Sequence, residues 1–144
     1  MINKYPHYSV HWKTGTGTLL SEFVFPTSIT GFTEEHHSFI TLETIGTLTL
    51  AAGFVWDFGS GPAIDTPDMV YASLAHDALY ELMQLGLLPW SQRKEADQYF
   101  KRLLKQVGMG WMRRQWVYAG VRVGYPIGKF FGGKGLSKTA GPVP

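Results

Sequence analysis

Residues 72–104, ASLAHDALYELMQLGLLPWSQRKEADQYFKRLL, contain two runs of apolar residues with helical spacing, one on each side of a short break. The break, Gly86–Trp90, holds a glycine and a proline, the residues that most often end a helix. A connection of this length leaves two helices side by side and antiparallel. The stretch therefore predicts a helix hairpin in the second half of the chain.

The first helix of the hairpin begins upstream of this stretch, at a Thr-Pro-Asp start signal. Thr66 can cap the helix, Pro67 suits its first turn, and Asp68 complements the positive end of the helix dipole. We expect this helix to run to Leu85, with Gly86 in the left-handed position that follows many helices.

The second helix is predicted from a cap at Ser91 to a stop at Gly108. Its apolar residues keep the helical period over this range: Ala96, Phe100, Leu103, Leu104 and Val107. A third helix is predicted over about Trp111–Val123. Glycine and proline then interrupt the pattern, so residues 125–144 are predicted to form a basic tail rich in glycine and proline.

The first half of the chain is rich in β-branched and aromatic residues, which favour strands. Strands are predicted over four ranges: Tyr8–Trp12, Leu19–Phe25, Phe39–Thr44 and Thr47–Val55. Ile45-Gly46 indicates a hairpin between the last two, and Glu34–His37 is interpreted as a solvated turn rather than a metal cluster. The fold class is α+β: a small antiparallel β-sheet, then an antiparallel helix hairpin and a third helix, in one domain over residues 1–124.

Composition excludes several classes of protein. The chain has 144 residues, which suits one domain, and it contains no cysteine. Disulfide-stapled scaffolds and thiolate sites are therefore excluded. The start of the chain lacks the apolar segment of a secretory signal, and no uncharged apolar run reaches the length of about eighteen residues typical of a membrane-spanning helix.

Charge is distributed unevenly along the chain although the formal net charge is only +2. Residues 1–100 contain 4 lysines and arginines and all 11 acidic residues, whereas residues 101–144 contain 9 basic residues and no acid. Carboxylate chemistry is thus expected in the first part, and attraction to anions in the second.

A candidate catalytic cluster follows from the helix hairpin. His76 and Tyr80 are four residues apart, so they share one face of the first helix. Asp97 lies at about the same height in the second helix, where its carboxylate can accept bonds from both. A carboxylate on one imidazole nitrogen fixes the tautomer and leaves the other nitrogen to deprotonate water. The alternative is a satisfied, buried polar network with a structural role.

A cation site can accompany this cluster. Asp77 is turned about a quarter-turn away from His76, where its carboxylate can hold a cation. Upstream, Asp57 can add a side-chain oxygen, and Gly59 and Gly61 allow backbone carbonyls to approach a hard cation. Base, water and Lewis acid together would suit ester hydrolysis.

Three ordered blocks resemble a family associated with phages and prophages, the domain-of-unknown-function family 1353. The blocks are LTLAAGFVWDFGSGP, ASLAHDALY and SQRKEADQYFKRLLKQVGMGWMRRQWVYAGVRVG. The resemblance extends from about Leu42 to Gly124 and implies a phage origin without an established activity. A phage protein with this composition is expected in the host cytoplasm and in the virion.

HDALY, together with ADQYF at residues 96–100, resembles the helices of calcium-dependent phospholipase A(2), especially the disulfide-free type in parvovirus capsids. This resemblance implies that His76 is the base, Asp97 its partner and Tyr80 a buttress. It also implies Ca²⁺ as a cofactor, with Asp77 as a ligand and a glycine-rich loop, for which Gly59 and Gly61 are the candidates.

Basic and aromatic residues alternate in the last third of the chain. The candidate contacts for a partner or an anionic membrane are Arg113, Arg114, Arg122, Lys129, Phe130 and Phe131. Such a segment suits anionic lipid, a phage structural protein or, with less support, nucleic acid. For the third helix we favour a different interpretation, in which Trp111, Val117 and Val121 face the core and the arginines face solvent.

Two functions are consistent with these patterns. The first is a metal-dependent ester hydrolase, with phospholipid as the substrate class and His76 as general base, carried in the virion or tail. The alternative is a non-enzymatic phage structural or assembly protein that docks through its basic, aromatic C-terminal region. A zinc-dependent cell-wall hydrolase would need a second histidine near His76 in the sequence, where none is found.

Overall fold

In the computed structural model, the strands come first in the chain and the helices follow. The structure describes residues 5–11, 13–14, 16–32, 35–57, 67–115, 117–119 and 122, with the backbone alone at 35, 36, 57 and 67–69. Within these ranges the strands are β1 (Tyr8–His11), β2 (Thr16–Leu19), β3 (Phe23–Pro26), β4 (Glu35–His37), β5 (Ile40–Leu42), β6 (Thr47–Leu50) and β7 (Val55–Asp57). The α+β class predicted from the sequence is confirmed.

The described strands form two antiparallel sheets, whereas one small sheet was predicted. One sheet has the order β1-β2-β7 and the other β3-β6-β5-β4. The ranges Leu19–Phe25 and Thr47–Val55, each predicted as a single strand, are each divided between the two sheets. Between β6 and β7 the chain turns at Gly53, whose φ of +98° is a left-handed conformation that glycine adopts readily.

The predicted hairpin at Ile45-Gly46 connects β5 to β6, with Leu42 opposite Leu48. Gly46 has a φ of +96°, and a Cβ at this position would lie 2.5 Å from the carbonyl oxygen of Thr27. The turn therefore requires glycine for two reasons, the backbone conformation and the close approach of the neighbouring chain.

The interpretation of Glu34–His37 as a turn is wrong for the part that the structure describes. Glu35–His37 forms β4, in which His37 pairs with Ile40 of β5. Ser38 provides the reversal between these strands with a φ of 47°. Because a short turn of this kind closes a hairpin, the polar residues before it are held in the sheet.

Helix α1 (Pro67–Gln84) contributes more buried side chains to the described core than any other element. Nearly every described side chain from Val70 to Met83 is buried, whichever face of the helix it occupies. A helix that is apolar on all sides is packed on all sides. Gly86 ends it as predicted, because its φ of +77° allows Leu87 N–H to bond to the carbonyl of Leu82 at 2.9 Å.

Helix α2 (Arg93–Gln106) follows a 3₁₀ turn over Trp90–Gln92. The predicted cap at Ser91 is wrong: the residue before α2 is Gln92, and its side chain makes no capping bond. Pro89 is extended and leads directly into the 3₁₀ turn, so the helical backbone starts ahead of α2 without a separate cap. None of the helices in the described part of the chain has the length and apolar character needed to cross a bilayer.

Residues 111–115 and 117–119 are helical, within the range predicted for a third helix. Val117 packs against the core as expected, but Trp111 is 66% exposed, so its predicted inward orientation is wrong. Trp111 and Val117 are six residues apart, so at about 100° per residue they lie on different faces of a helix. Val121 and the tail at 125–144 lie outside the described residues.

The core is continuous through both sheets and both hairpin helices. Its largest fully buried side chains are Trp56, Phe25, Phe54 and Phe100. Phe25 lies in β3, Trp56 in β7 and Phe100 in α2, and α1 lies among them. This shared core fixes the relative position of α1 and α2, which carry the candidate site.

Candidate catalytic site

The predicted cluster of His76, Tyr80 and Asp97 is assembled in the structure. His76 Nε2 lies 2.7 Å from Asp97 Oδ1, and the Tyr80 hydroxyl donates to the same oxygen at 2.5 Å. The two donors are one turn apart on α1 and meet a carboxylate from α2. The antiparallel hairpin therefore places the three residues at one height, as the sequence predicted.

The second oxygen of Asp97 is bound by arginine. Arg122 Nη1 donates to Asp97 Oδ2 at 2.8 Å, and Arg93 Nε lies 3.9 Å from the same oxygen. Asp97 is fully buried, with a relative exposure of 0%. A buried carboxylate is costly unless it is paired and hydrogen-bonded, and these contacts satisfy both of its oxygens.

Arg93 links the three helical segments around this carboxylate. Its Nε donates to the Tyr80 hydroxyl at 3.2 Å, and its Nη2 donates to the backbone carbonyl of Arg122 at 2.6 Å. Arg93 thus contacts α1 and the segment that carries Arg122 from its own position in α2. We call these five residues, His76, Tyr80, Arg93, Asp97 and Arg122, the Asp97 network.

Asp97 is held in its ionised form by this network. Burial alone raises the pKa of a carboxyl group, but hydrogen bonds from His76 and Tyr80, the electrostatic effect of His76 and the bond from Arg122 together lower the pKa of Asp97 below its ordinary value. Burial raises the pKa of Tyr80, and the bond to Asp97 raises it further. The phenol therefore remains a hydrogen-bond donor.

The ionised state of Asp97 determines the tautomer of His76. An ionised carboxylate only accepts hydrogen bonds, so Nε2 of the neutral ring must carry the proton that is donated to Oδ1. Nδ1 then carries the lone pair, and it has no hydrogen-bond partner among the described residues. The geometry leaves a basic nitrogen available on an oriented ring.

Aromatic neighbours hold the plane of the His76 ring. Its centroid lies 4.2 Å from that of Tyr80 and 4.9 Å from that of Phe100. The side chain is 12% exposed, which gives it limited access to water. Ring packing and the Asp97 bond together restrict the orientation of the imidazole.

The predicted cation site falls mostly outside the described residues. Gly59, Gly61 and the side chain of Asp57 are among the parts that are not described. Asp77 is half-buried on α1, next to His76. Among the described residues, no three histidine or acidic side chains gather into a group that could hold a metal ion.

The predicted basic contacts separate into different environments. Arg122 binds Asp97 and so belongs to the Asp97 network. Arg114 Nη1 donates to the carbonyl oxygen of Met109 at 3.0 Å, and Arg113 is exposed. Lys129, Phe130 and Phe131 lie outside the described residues.

Sequence reasoning did not predict that arginines bind Asp97. Arg93 precedes Asp97 by one helical turn, a spacing that predicts an ion pair on one helix face. For Arg122 no such local signal exists, because the chain turns at Gly108 before it returns to the site. Its contact depends on how the third helical segment packs.

A second polar cluster lies on the outer face of α2. Arg102 Nη2 donates to Glu95 Oε1 at 2.9 Å and to Ser28 Oγ at 2.8 Å. Ser28 Oγ in turn donates to Glu95 Oε1 at 2.5 Å, and the bonds that Glu95 accepts from Ser28 and Arg102 lower the pKa of its carboxyl group, with the Ser28 bond contributing most. A cavity of about 500 Å³ adjoins the cluster, lined by Ser28, Ser91, Gln92, Lys94, Glu95 and Gln98.

Comparison with known proteins gives one family. Residues 34–121, more than half of the chain, match the family described as Protein of unknown function (DUF1353). No curated protein and no solved structure matches the chain. The matched range includes α1, α2 and all of the Asp97 network except Arg122. The extent of this match shows that the chain belongs to the DUF1353 family.

Proposed function

We propose that this protein is a hydrolase of acyl esters in which His76 acts as the general base. The observation that carries the proposal is the bond from His76 Nε2 to the buried Asp97 carboxylate, at 2.7 Å. It leaves Nδ1 as the basic nitrogen of an oriented and partly exposed ring. Phospholipid is the ester class that the resemblance of the two helices favours.

In the proposed reaction, Nδ1 of His76 takes a proton from a water molecule as the water oxygen attacks the carbonyl carbon of the ester. The tetrahedral intermediate then collapses and the bond between carbon and the alcohol oxygen breaks. The imidazolium returns its proton to the leaving alkoxide, so the ring is neutral again at the end. This is general acid–base catalysis by one residue.

Asp97 supports the reaction without giving up a proton. Its charge stabilises the imidazolium that forms after the proton is taken. Tyr80 and Arg122 hold the carboxylate from its two oxygens, which keeps it aligned with the ring. These residues are positioning residues, whereas His76 is the residue that we expect to contact the reacting water.

A bound Ca²⁺ would supply a Lewis acid for the ester carbonyl oxygen. Asp77 is the predicted ligand whose side chain the structure describes, and one carboxylate does not make a calcium site, which needs six to eight oxygen ligands. The role of His76 as general base does not depend on this ion. An assay with and without Ca²⁺ therefore tests the calcium requirement separately from the role of His76.

The test is hydrolysis of phospholipid vesicles and of a soluble chromogenic acyl ester, measured with Ca²⁺ and with a calcium chelator. We expect wild-type protein to hydrolyse at least one of them and His76→Gln to lose about a thousandfold or more in kcat, since a general base typically contributes a factor of about 10²–10⁴. Glutamine keeps much of the volume of the ring but accepts no proton.

His7→Gln is the matched control, because His7 is exposed and lies outside the Asp97 network. It should hydrolyse as fast as the wild type. Absence of hydrolysis by folded wild-type protein, or equal rates in the two variants, would contradict the proposal and leave the network with a structural role.

A further inference from the structure

Two large apolar side chains at consecutive positions are exposed at the start of the third helical segment. Trp111 is 66% exposed and Met112 is 70% exposed. In α2, by contrast, Phe100, Leu103 and Leu104 are all buried. An exposed apolar pair in an otherwise well-packed helical region indicates a surface that contacts a binding partner.

The exposed charged residues that flank this pair in the chain are basic. Lys105, near the end of α2, and Arg113 are both exposed, and no acidic residue occurs in the chain after Asp97. We define the Trp111 corner as these four residues, Lys105, Trp111, Met112 and Arg113. Its charge is complementary to an anionic surface.

The backbone of the Trp111 corner is well fixed. Gly108, with a φ of +90°, ends α2, and Met109 is buried, with its N–H bonded to Leu104 O at 3.0 Å. Arg114 bonds to Met109 O through its guanidinium and to Gly110 O through its backbone N–H. The fold therefore holds Trp111 outward on an anchored turn.

We propose that the Trp111 corner is a peripheral docking site for an anionic lipid surface. Indole rings prefer the boundary between water and hydrocarbon, where the ring is buried and its N–H stays near polar groups. Lysine and arginine add attraction to anionic headgroups, and a thioether adapts to an irregular apolar environment. The proposal does not depend on hydrolysis, because none of these four residues belongs to the Asp97 network.

The test is co-sedimentation of the full chain with vesicles of phosphatidylcholine alone and of phosphatidylcholine with phosphatidylglycerol. We expect binding to the anionic vesicles that falls as salt is raised, and much weaker binding to the neutral ones. The double variant Trp111→Ser/Met112→Ser should reduce the bound-to-free ratio on anionic vesicles at least tenfold. Lys105→Gln should weaken the binding and flatten its salt dependence.

Ile45→Ser is the matched control. Ile45 is 74% exposed but lies in the acidic part of the chain, so its replacement should leave vesicle binding unchanged. Equal loss in this control, equal binding to neutral vesicles, or no binding by the wild type would overturn the proposal. Loss of binding to poly-glutamate in the double variant, without any vesicle binding by the wild type, would also overturn it and assign the corner to an acidic protein.

Discussion

Asp97 is the residue on which the candidate site depends. Its carboxylate is removed from water and accepts bonds from an imidazole, a phenol and a guanidinium. Replacing Asp97 leaves all three donors without the charge that they bind. We therefore expect that a substitution of Asp97 lowers both the stability of the fold and the hydrolytic activity.

Asp97→Asn is expected to lower the free energy of unfolding by about 3 kcal/mol, in the range for breaking a buried ion pair, because an amide N–H₂ would then face another donor. Tyr80→Phe should cost about 2 kcal/mol, because it removes a bond donated to a charged carboxylate and a bond accepted from Arg93. Urea unfolding monitored by circular dichroism measures both.

Glu95→Gln is the control for this pair of variants. Glu95 lies in the same helix, but its bond to Arg102 is partly exposed, with a side-chain exposure of 35% at Glu95. Its removal should cost less than about 1 kcal/mol. An equal cost for Asp97→Asn and Glu95→Gln would show that the network does not stabilise the fold.

Glu81 is expected to make stability depend on pH. It is 4% exposed, its Oε2 has no hydrogen-bond partner in the described structure, and burial raises the pKa of its carboxyl group from 4.5 to about 7. The folded state therefore keeps a proton that the unfolded state releases at lower pH. The free energy of unfolding should fall by roughly 3 kcal/mol as the pH rises from 4.5 to 7, and change little from this source above that.

The measurement is urea unfolding at several pH values for the wild type and Glu81→Gln. Glutamine carries no charge at any of these pH values, so the variant should lack this decline. Parallel stability curves for the two proteins over pH 5–8 would contradict the account of Glu81.

At the scale of elements, β2 and β7 show how a glycine can be required by packing. Gly17 pairs with Trp56, and a Cβ on Gly17 would lie 2.8 Å from the Trp56 ring. In the sequence, Gly17 belongs to a GTGT string at Gly15–Thr18, which lacks the lysine and the following helix of a phosphate-binding loop. The structure shows that the absence of a side chain at Gly17 makes room for the indole.

Gly17→Ala is therefore expected to destabilise the fold by about 1–3 kcal/mol, the usual cost of overpacking. Gly110→Ala is the control, because a Cβ there would meet nothing within 4 Å. Thermal unfolding should show a lower midpoint for Gly17→Ala alone. Equal midpoints for the two variants would mean that the sheet adjusts to the added methyl group.

The sequence predicted the hairpin of α1 and α2 well because the information is local. Apolar spacing, the glycine stops and the short connection are all contained in about forty residues, and they place Asp97 opposite His76. The division of the strands into two sheets is non-local, since it depends on the turn at Gly53 and on pairing between distant strands. Arg122 was not assigned to the site for the same reason.

At the scale of the whole molecule, one core joins the sheets and the helices. Trp56 from one sheet, Phe25 from the other and Phe100 from α2 are all buried in it. Elements that share a core of this kind unfold together in most single domains of this size. The site between α1 and α2 is therefore expected to be as stable as the fold itself.

We accordingly expect a single cooperative unfolding transition. Near-ultraviolet circular dichroism reports the packed aromatic residues, and far-ultraviolet circular dichroism reports the helices and strands. Their midpoints in urea should coincide within experimental error. Separate midpoints would show that the sheets and the helix hairpin are independent units, and would weaken the link between fold and site.

The central claim is that His76 presents a basic Nδ1 because its Nε2 proton is donated to Asp97. A long-range proton–nitrogen correlation spectrum of the ¹⁵N-labelled protein, recorded at a pH where the ring is neutral, measures the tautomer directly. We predict a protonated Nε2 and an unprotonated Nδ1 for His76, with this preference weakened in Asp97→Asn. A proton on Nδ1 in the wild-type protein would contradict the account.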